Sequence, residues 1–323
     1  FISAHLGQRE AWTPKKLASN LGQAFQGSIV LGDGFLLDAD EKNKLISLNP
    51  KLTAIIYPYL IGREVNHNPT HASGRWVINL FDWGKDECLE KFPEVMEILR
   101  DRVKPEREKQ KNESAKLNWW RHYRFGFDLY HKIGLGEKYH FHPNGWKPSE
   151  KLERVIDSAT GATKYPCFTM VPNEYIYAHS LCVVASDSFS LLGCLSSDIH
   201  AVWAWEQGSR MKQDLRYTHG DIFETFPLPP RVLENAPEGL VALGEELFTT
   251  RRKAMRAEQK GMTSFYNSFH DPNFRRQDFG RCREVQAALN EALLAEYGMD
   301  DVDLELGFHD VGYLPEGKKT RFT

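Results

Sequence analysis

Up to Phe81 the chain alternates short apolar runs with turn residues. Ser28-Ile-Val-Leu31, Thr53-Ala-Ile-Ile-Tyr-Pro58 and Arg75-Trp-Val-Ile-Asn-Leu-Phe81 are rich in β-branched and aromatic residues and bounded by Gly, Asn and Pro, which predicts strands. Between the first two, Asp38-Ala-Asp-Glu opens a predicted helix that ends before Asn49-Pro50, its acids where the helix dipole favours them. Over residues 86–111, Leu89, Phe92, Met96, Leu99 and Val103 recur at helical spacing, with Pro93 and Pro105 placed to break or bend the helix. Strand texture returns at Arg154-Val-Ile156, Cys167-Phe-Thr-Met-Val171, Tyr175-Ile-Tyr177 and Leu181-Cys-Val-Val184. A helix follows, with Asp187 or Ser188 as its cap. Leu191, Leu192, Leu195, Ile199, Val202 and Trp203 form its apolar face, and Gly208 ends it. Past the stiff Pro227-Leu-Pro-Pro230 the pattern is helical, over residues 237–260 with Gly261 at C′ and over residues 278–297 with Gly298 at C′.

This layout predicts an α+β fold: a mixed-sheet domain over residues 28–230, then a mainly helical region over 231–323, with residues 1–27 as an extended lead-in. An apolar content of 41% in 323 residues supports a real core and excludes wholesale disorder. The balance of 41 Lys+Arg against 44 Asp+Glu excludes a uniformly basic binder but hides unlike segments. Residues 98–124 carry nine basic residues against four acids, and residues 251–283 nine against three; residues 291–310 hold seven acids and no Lys or Arg. Five cysteines without a CxxC pair point to free thiols in a reducing cytoplasm. No stretch approaches the ~18–20 apolar residues of a membrane span. A chain that starts at Phe1 is expected to be a piece of something longer.

Candidate chemistry is sparse. His140 and His142 form an H-x-H without the acids or cysteines that would complete a tetrahedral metal site, so an ordinary aromatic loop is expected and no metal. Gly32-Asp-Gly34 follows a strand, but Leu37 stands where a dinucleotide fingerprint needs a third glycine; a tight turn accounts for both glycines. No hydrolase, zinc-protease or P-loop motif occurs, and no catalytic constellation is visible. The two basic segments interleave with aromatics, Trp119, Trp120, His122 and Tyr123 in one and Phe265, Tyr266, Phe269 and Phe274 in the other. That mixture suits tracking along phosphates with some stacking, and equally a solvated helix face of i,i+4 pairs. In the segment after Gly208, Lys212 and Asp214 would share one face of an extended strand. Lys can donate to guanine N7 and O6 while Asp accepts from cytosine N4, so the pair could read one G·C pair. The alternative is a plain surface ion pair of little energetic weight.

A set of short motifs occurs in order. These are Phe25-Gln-Gly-Ser-Ile-Val-Leu-Gly-Asp-Gly-Phe35, Tyr57-Pro-Tyr-Leu-Ile-Gly62 with Asn66, Arg75-Trp-Val-Ile-Asn79, Trp119-Trp120, His200-x-x-Trp203, Gly208-Ser209, Leu215-Arg-Tyr-Thr218 and Asp221-Ile-Phe-Glu-Thr-Phe-Pro227. Further on come Arg251-Arg-Lys, Gly261-Met-Thr, Tyr266-Asn, His270-Asp-Pro272, Ala295-Glu-Tyr-Gly298, Gly307-Phe and Arg321-Phe-Thr. The ordered set resembles the target-recognition and C-terminal helical regions of MmeI-like restriction–modification proteins, which join a nuclease, an adenine-N6 methyltransferase and a DNA reader in one chain.

The resemblance implies a non-catalytic part that binds double-stranded DNA, acting in cis with upstream methyltransferase and nuclease modules, without a membrane. S-adenosylmethionine is expected in the upstream module and no cofactor in this chain, which has neither the Gly-rich loop nor the [DNS]-P-P-[YFW] turn of such methyltransferases. It implies base reading by Arg210, Lys212 and Asp214, and by Thr160, Thr163 and Lys164 after Arg154. Phosphate contacts are expected from Arg102, Lys104, Arg251 and Arg252. Arg216, like Arg75 and Trp76, is expected to hold the fold or a phosphate. Two rival readings are a protein-interaction scaffold of a phage-defence complex and an enzyme with a site around His140, His142 and Asp157.

Overall fold

A computed structural model describes residues 13–135, 152–161, 163–314 and 320–323. The first half comprises β1 (Ala24–Gln26), β2 (Leu36–Leu37), α1 (Ala39–Leu48), β3 (Ile56–Leu60), α2 (Gly62–His67), β4 (Trp76–Ile78), α3 (Lys85–Lys91), α4 (Pro93–Arg102), α5 (Lys104–Glu108), α6 (Glu113–Leu117) and α7 (Phe127–Lys132). Then come β5 (Arg154–Ala159), β6 (Thr169–Pro172), β7 (Ile176–Tyr177), β8 (Leu181–Val184), α8 (Phe189–Ser196), α9 (Asp198–Gln207), β9 (Ser209–Met211) and β10 (Asp214–Arg216). The last part holds α10 (Pro230–Leu233), α11 (Glu238–Glu258), α12 (Met262–Phe269), α13 (Gln277–Glu296), β11 (Phe308–Asp310) and β12 (Thr320–Phe322). The fold is α+β.

An antiparallel sheet of order β1-β8-β5-β6 divides two cores. Register places Ala24 and Ile156 opposite Val184, and Ile156 opposite Met170; cross-strand partners share a face, so these four line one side. That side packs with Leu191, Leu195, Leu247 and Leu289 from α8, α11 and α13. Phe25, Val155, Val171 and Val183 face the other way, into a core shared with the mixed sheet β2-β4-β3-β7 and with α4. Buried on both faces, β8 reads as an unbroken apolar run, as a fully covered strand should.

Two expectations about domains change. The lead-in is built into the body in its described part: β1 pairs with β8, and the buried Asn20 donates to the Phe223 and Phe226 carbonyls at 2.8 and 2.7 Å. The boundary at residue 230 divides the sequence but not the space, because α11 and α13 complete the core under the sheet. Gly244 shows how close this packing is, since a Cβ there would lie 2.0 Å from the Phe189 carbonyl oxygen.

The helix expected over 86–111 is three helices, with Pro93 and Pro105 each in a first turn, where the missing N–H does no harm. The helix expected up to Gly208 is two, capped by Ser188 and again by Ser197, whose side chains accept from the Leu191 and His200 amides. Gln259, with φ +52°, rather than Gly261 closes α11; Gly261 instead lies against the backbone of Asn66 and His67. Gly298, with φ +68°, follows α13 as expected.

Candidate nucleic-acid interface

Strands β9 and β10 form a hairpin whose two-residue turn is Lys212-Gln213. Its base is held from within. Leu215 is fully buried, and both its backbone groups pair with Thr163, N–H to O in each direction at 2.9 Å. Two residues on in the motif, Tyr217 is buried and donates to His200 Nε2 at 3.2 Å. That direction follows from the other ring nitrogen: Nδ1 faces the Leu195 carbonyl at 2.9 Å and must carry the proton. Burial holds the His200 pKa down at about 4, so the ring is neutral. Thr218 Oγ1 donates to Asp221 at 2.7 Å, and Trp203 donates to Thr225 at 3.2 Å. The Leu-Arg-Tyr-Thr and His-x-x-Trp motifs therefore anchor the hairpin.

Above this base, Ser209 opposes Arg216 and Met211 opposes Asp214, so these four share one face; Arg210 and Leu215 share the other. Met211 is 50% exposed on that first face, an apolar group held out to solvent beside Arg216 and Asp214. Arg210 is exposed, with its guanidinium 5.9 Å from the Trp205 ring. Lys212 does not lie in a strand beside Asp214, as alternation suggested. It occupies the tip of the turn with φ +58°, whereas Gln213 has no positive φ, the sign pattern of a type II′ turn that favours glycine at the first position. A non-glycine residue there costs about 1–2 kcal/mol, the kind of local strain that collects at functional positions. Lys212 and Asp214 form no salt bridge with each other; Lys212 has none among the described residues.

The structure brings the two expected reading segments together, because Thr163 is the neighbour of β10. It also corrects the role of Thr163. The residue is buried, and its hydroxyl donates to the Tyr165 carbonyl at 2.7 Å and accepts from the Tyr165 amide at 3.2 Å, leaving no face for a base. Lys164 lies beside it, 3.3 Å from Asn267 Oδ1 and 5.2 Å from the Tyr165 ring centre. Asn267, absent from the sequence reasoning, also accepts from the Tyr165 hydroxyl at 3.1 Å. Thr160 is half-buried and its amide donates to the Ser180 carbonyl at 2.9 Å.

Of the expected phosphate contacts, Arg251 is corrected outright. It is 1% exposed and donates inward, to the Tyr266 hydroxyl at 2.9 Å and to the Phe168 carbonyl. Arg283 is buried too, with its guanidinium on the Ser268, Phe269, Asp271 and Phe274 carbonyls that close α12. Arg276 and Arg281 are held by Glu258, Asp278, Glu246 and Glu284. What the segment leaves outward is Arg252, Lys253 and Arg256 on α11, with Arg275. Arg252 lies 5.7 Å from the Phe248 ring, and burial first, then the neighbouring Arg256, holds its pKa below the usual arginine value. Unneutralised like charges of this kind attract an anion.

In the first basic segment Arg102 pairs with Glu41 at 2.7 Å and Lys104 with Glu108 at 3.7 Å, exposed pairs that could exchange for phosphates. Arg107, in the same segment, is 1% exposed. Arg75 pairs with Glu64 at 3.0 Å and Trp76 lies under Lys42, while Arg216 stays exposed on the hairpin.

The other candidates recede. His140 and His142 lie outside the described residues, and Asp157 is fully buried within β5, its pKa pushed well up by burial. Among the described residues no group of three or more potential metal ligands occurs, and no helix is long and apolar enough to cross a membrane. The close packing of α4 accounts for the second glycine of the Gly32–Gly34 turn, since a Cβ on Gly34 would lie 2.7 Å from Val103 and 2.9 Å from the Arg102 backbone.

Residues 136–230, which include the hairpin and the Thr163 segment, match the family model of the MmeI target recognition domain. The chain carries an MmeI-like target-recognition domain. The solved structure of the Type IIL restriction-modification enzyme MmeI in complex with DNA shares this fold, with a TM-score of 0.65 and 16% identity over 93% of this chain. The chain spans 36% of the length of that MmeI chain. Comparison with curated proteins gives no match. The likeness to MmeI extends past the family-matched segment at both ends, so the helices after residue 230 belong to the same shared fold.

Proposed function

We propose that this chain is the DNA-reading region of a restriction–modification protein. It binds duplex DNA, selects a defined base sequence and presents it to an adenine-N6 methyltransferase module of the same protein, alongside a nuclease module. The observation that carries this reading is the joining of the β9–β10 hairpin to the Thr163–Lys164 segment inside an MmeI-like target-recognition domain. The strained, exposed turn presents Lys212 as a donor. Asp214 on the next strand supplies an acceptor; Arg210, on the hairpin's other face, and Lys164, next to Thr163, are the further readers. Lys to guanine and Asp to cytosine is a chemically matched reading of one G·C pair. Arg102, Lys104, Arg216 and Arg252, with Lys253 and Arg256, supply phosphate contacts that add affinity without sequence preference. Arg251 and Thr163 act by holding the reader in shape. In this reading S-adenosylmethionine belongs to the methyltransferase module, and the protein works in the cytoplasm, in phage defence.

Selection of bound duplexes from a random pool tests the proposal. Enrichment of one shared sequence, with affinity that falls steeply as salt rises, is the expected result. Binding that enriches nothing would contradict sequence reading. Binding of an acidic protein but of no DNA would favour the scaffold instead.

A further inference from the structure

Away from the hairpin, a cavity of about 140 Å³ opens between α5, α6 and the segment after α6, lined by Arg107, Ser114, Asn118, Arg121, His122 and Tyr123. Its chemistry is unbalanced. Arg107 is 1% exposed, yet its guanidinium meets only two carbonyl oxygens, Val30 at 2.7 Å and Arg121 at 3.2 Å, both through Nη2. Its Nε and Nη1 are buried without partners, and so is Nδ1 of His122, whose Nε2 lies 2.9 Å from the Ile78 carbonyl. Among the described residues no carboxylate forms a salt bridge with Arg107, although the charge of Glu106 acts on it. A buried charge is normally paired, because leaving it alone costs several kcal/mol. The cavity wall is polar, with Arg121, Ser114 and Asn118, and includes no acid; the Arg121 Nε donates to the Trp83 carbonyl at 2.9 Å and the Asn118 amide to the Ser114 carbonyl at 3.2 Å.

We infer that this cavity is an oxyanion site, built to take a phosphate group against Arg107. The guanidinium's Nε and Nη1 are left without protein partners; they lie on opposite edges of the group, so each is a single charge-assisted donor for a phosphate oxygen. The phosphate has two sources, a DNA backbone phosphodiester or the free inorganic ion. The inference does not depend on sequence reading, since the free ion can fill the site in a chain that reads no bases.

Isothermal titration of the protein with inorganic phosphate, at constant ionic strength in chloride, tests it directly. Saturable one-site binding is expected. Asn118→Asp places a carboxylate in the cavity wall as a built-in anion; it should weaken phosphate binding at least tenfold and raise the thermal midpoint. Arg107→Lys should weaken binding as well, and Asn118→Asp keeps the test open should Arg107→Lys fail to fold. If the source is DNA, a duplex displaces phosphate and Asn118→Asp weakens every duplex alike. If it is the free ion, Asn118→Asp leaves duplex affinity unchanged while abolishing phosphate binding. Absence of phosphate binding in the wild type, together with duplex affinity unaltered by Asn118→Asp, would overturn the site.

Discussion

Arg251 and Arg252 are adjacent in sequence and opposite in role. Arg251 points inward and donates to the Tyr266 hydroxyl, whereas Arg252 stays at the surface beside Arg256. Arg251→Ala would leave the Phe168 carbonyl and the Tyr266 hydroxyl without their donor and open a cavity, which should cost roughly 2–3 kcal/mol in urea denaturation. Arg252→Ala should stay within about 0.5 kcal/mol of wild-type stability. It should weaken all duplexes alike and lower the salt slope by about 1. Equal stability of the two variants would contradict the burial of Arg251. The sequence did hold a signal for this difference, because Leu240, Gly244, Leu247, Phe248, Arg251, Ala254 and Met255 are the buried face of α11, spaced as a helical stripe. A count of charges along the chain weighs Arg251 and Arg252 equally; the helical period separates them. The same period explains Arg283, which falls between Phe279 and Gln286 on the buried face of α13.

At the scale of elements, strands buried on both faces and proline-started helices were legible, because each rests on local chemistry. The β9–β10 turn was not. Alternation along an extended strand placed Lys212 beside Asp214, but a two-residue turn follows a different rule, and Lys212-Gln213 carries none of the Gly or Asn that marks such turns. The positive φ at Lys212 makes a separable prediction. Lys212→Gly removes the ammonium and relieves the turn, so it should stabilise the protein by up to about 1 kcal/mol while losing base preference. A drop in stability with base preference intact would mean that the side chain serves the fold. The join of α8 to α11 is equally testable, since Gly244→Ala drives a methyl into the Phe189 carbonyl and should destabilise by roughly 2 kcal/mol or more. The break at Ser197 also escaped the apolar pattern, which runs on across it; the cap that splits α8 from α9 is a polar, local event.

For the whole molecule, most motif residues behind the family resemblance are packing devices: Gly27 against the Ala178 carbonyl, Ser28 on Tyr130, and His200 on Tyr217. This is why fold and family were readable while the exposed readers were less so; surface side chains answer to the DNA sequence and not to a core. The buried histidines give the molecule a pH signature. Burial first of all holds His71, His122 and His200 down at about 4, against 6.5 when unfolded. The unfolded chain therefore binds more protons between those values, and this stability, full above pH 6.5, is lost as pH falls toward 4. Asp198, raised to about 6, and Asp157, raised well above the usual carboxylate range, act in the opposite sense, both through burial; His219 and His270, also lowered chiefly by burial, make it two groups against five. The thermal midpoint should fall from pH 7 to pH 4.5, and a flat or rising profile would contradict the neutral, buried histidines.

The exposed hairpin is proposed to read a base pair. This is tested by measuring the affinity of wild type and Lys212→Ala for the selected duplex and for every single-base-pair variant of it. Lys212→Ala should lose about 1–3 kcal/mol of discrimination at one G·C pair and keep its preferences at all other positions. A uniform loss across all duplexes, with the pattern of preferences unchanged, would contradict it.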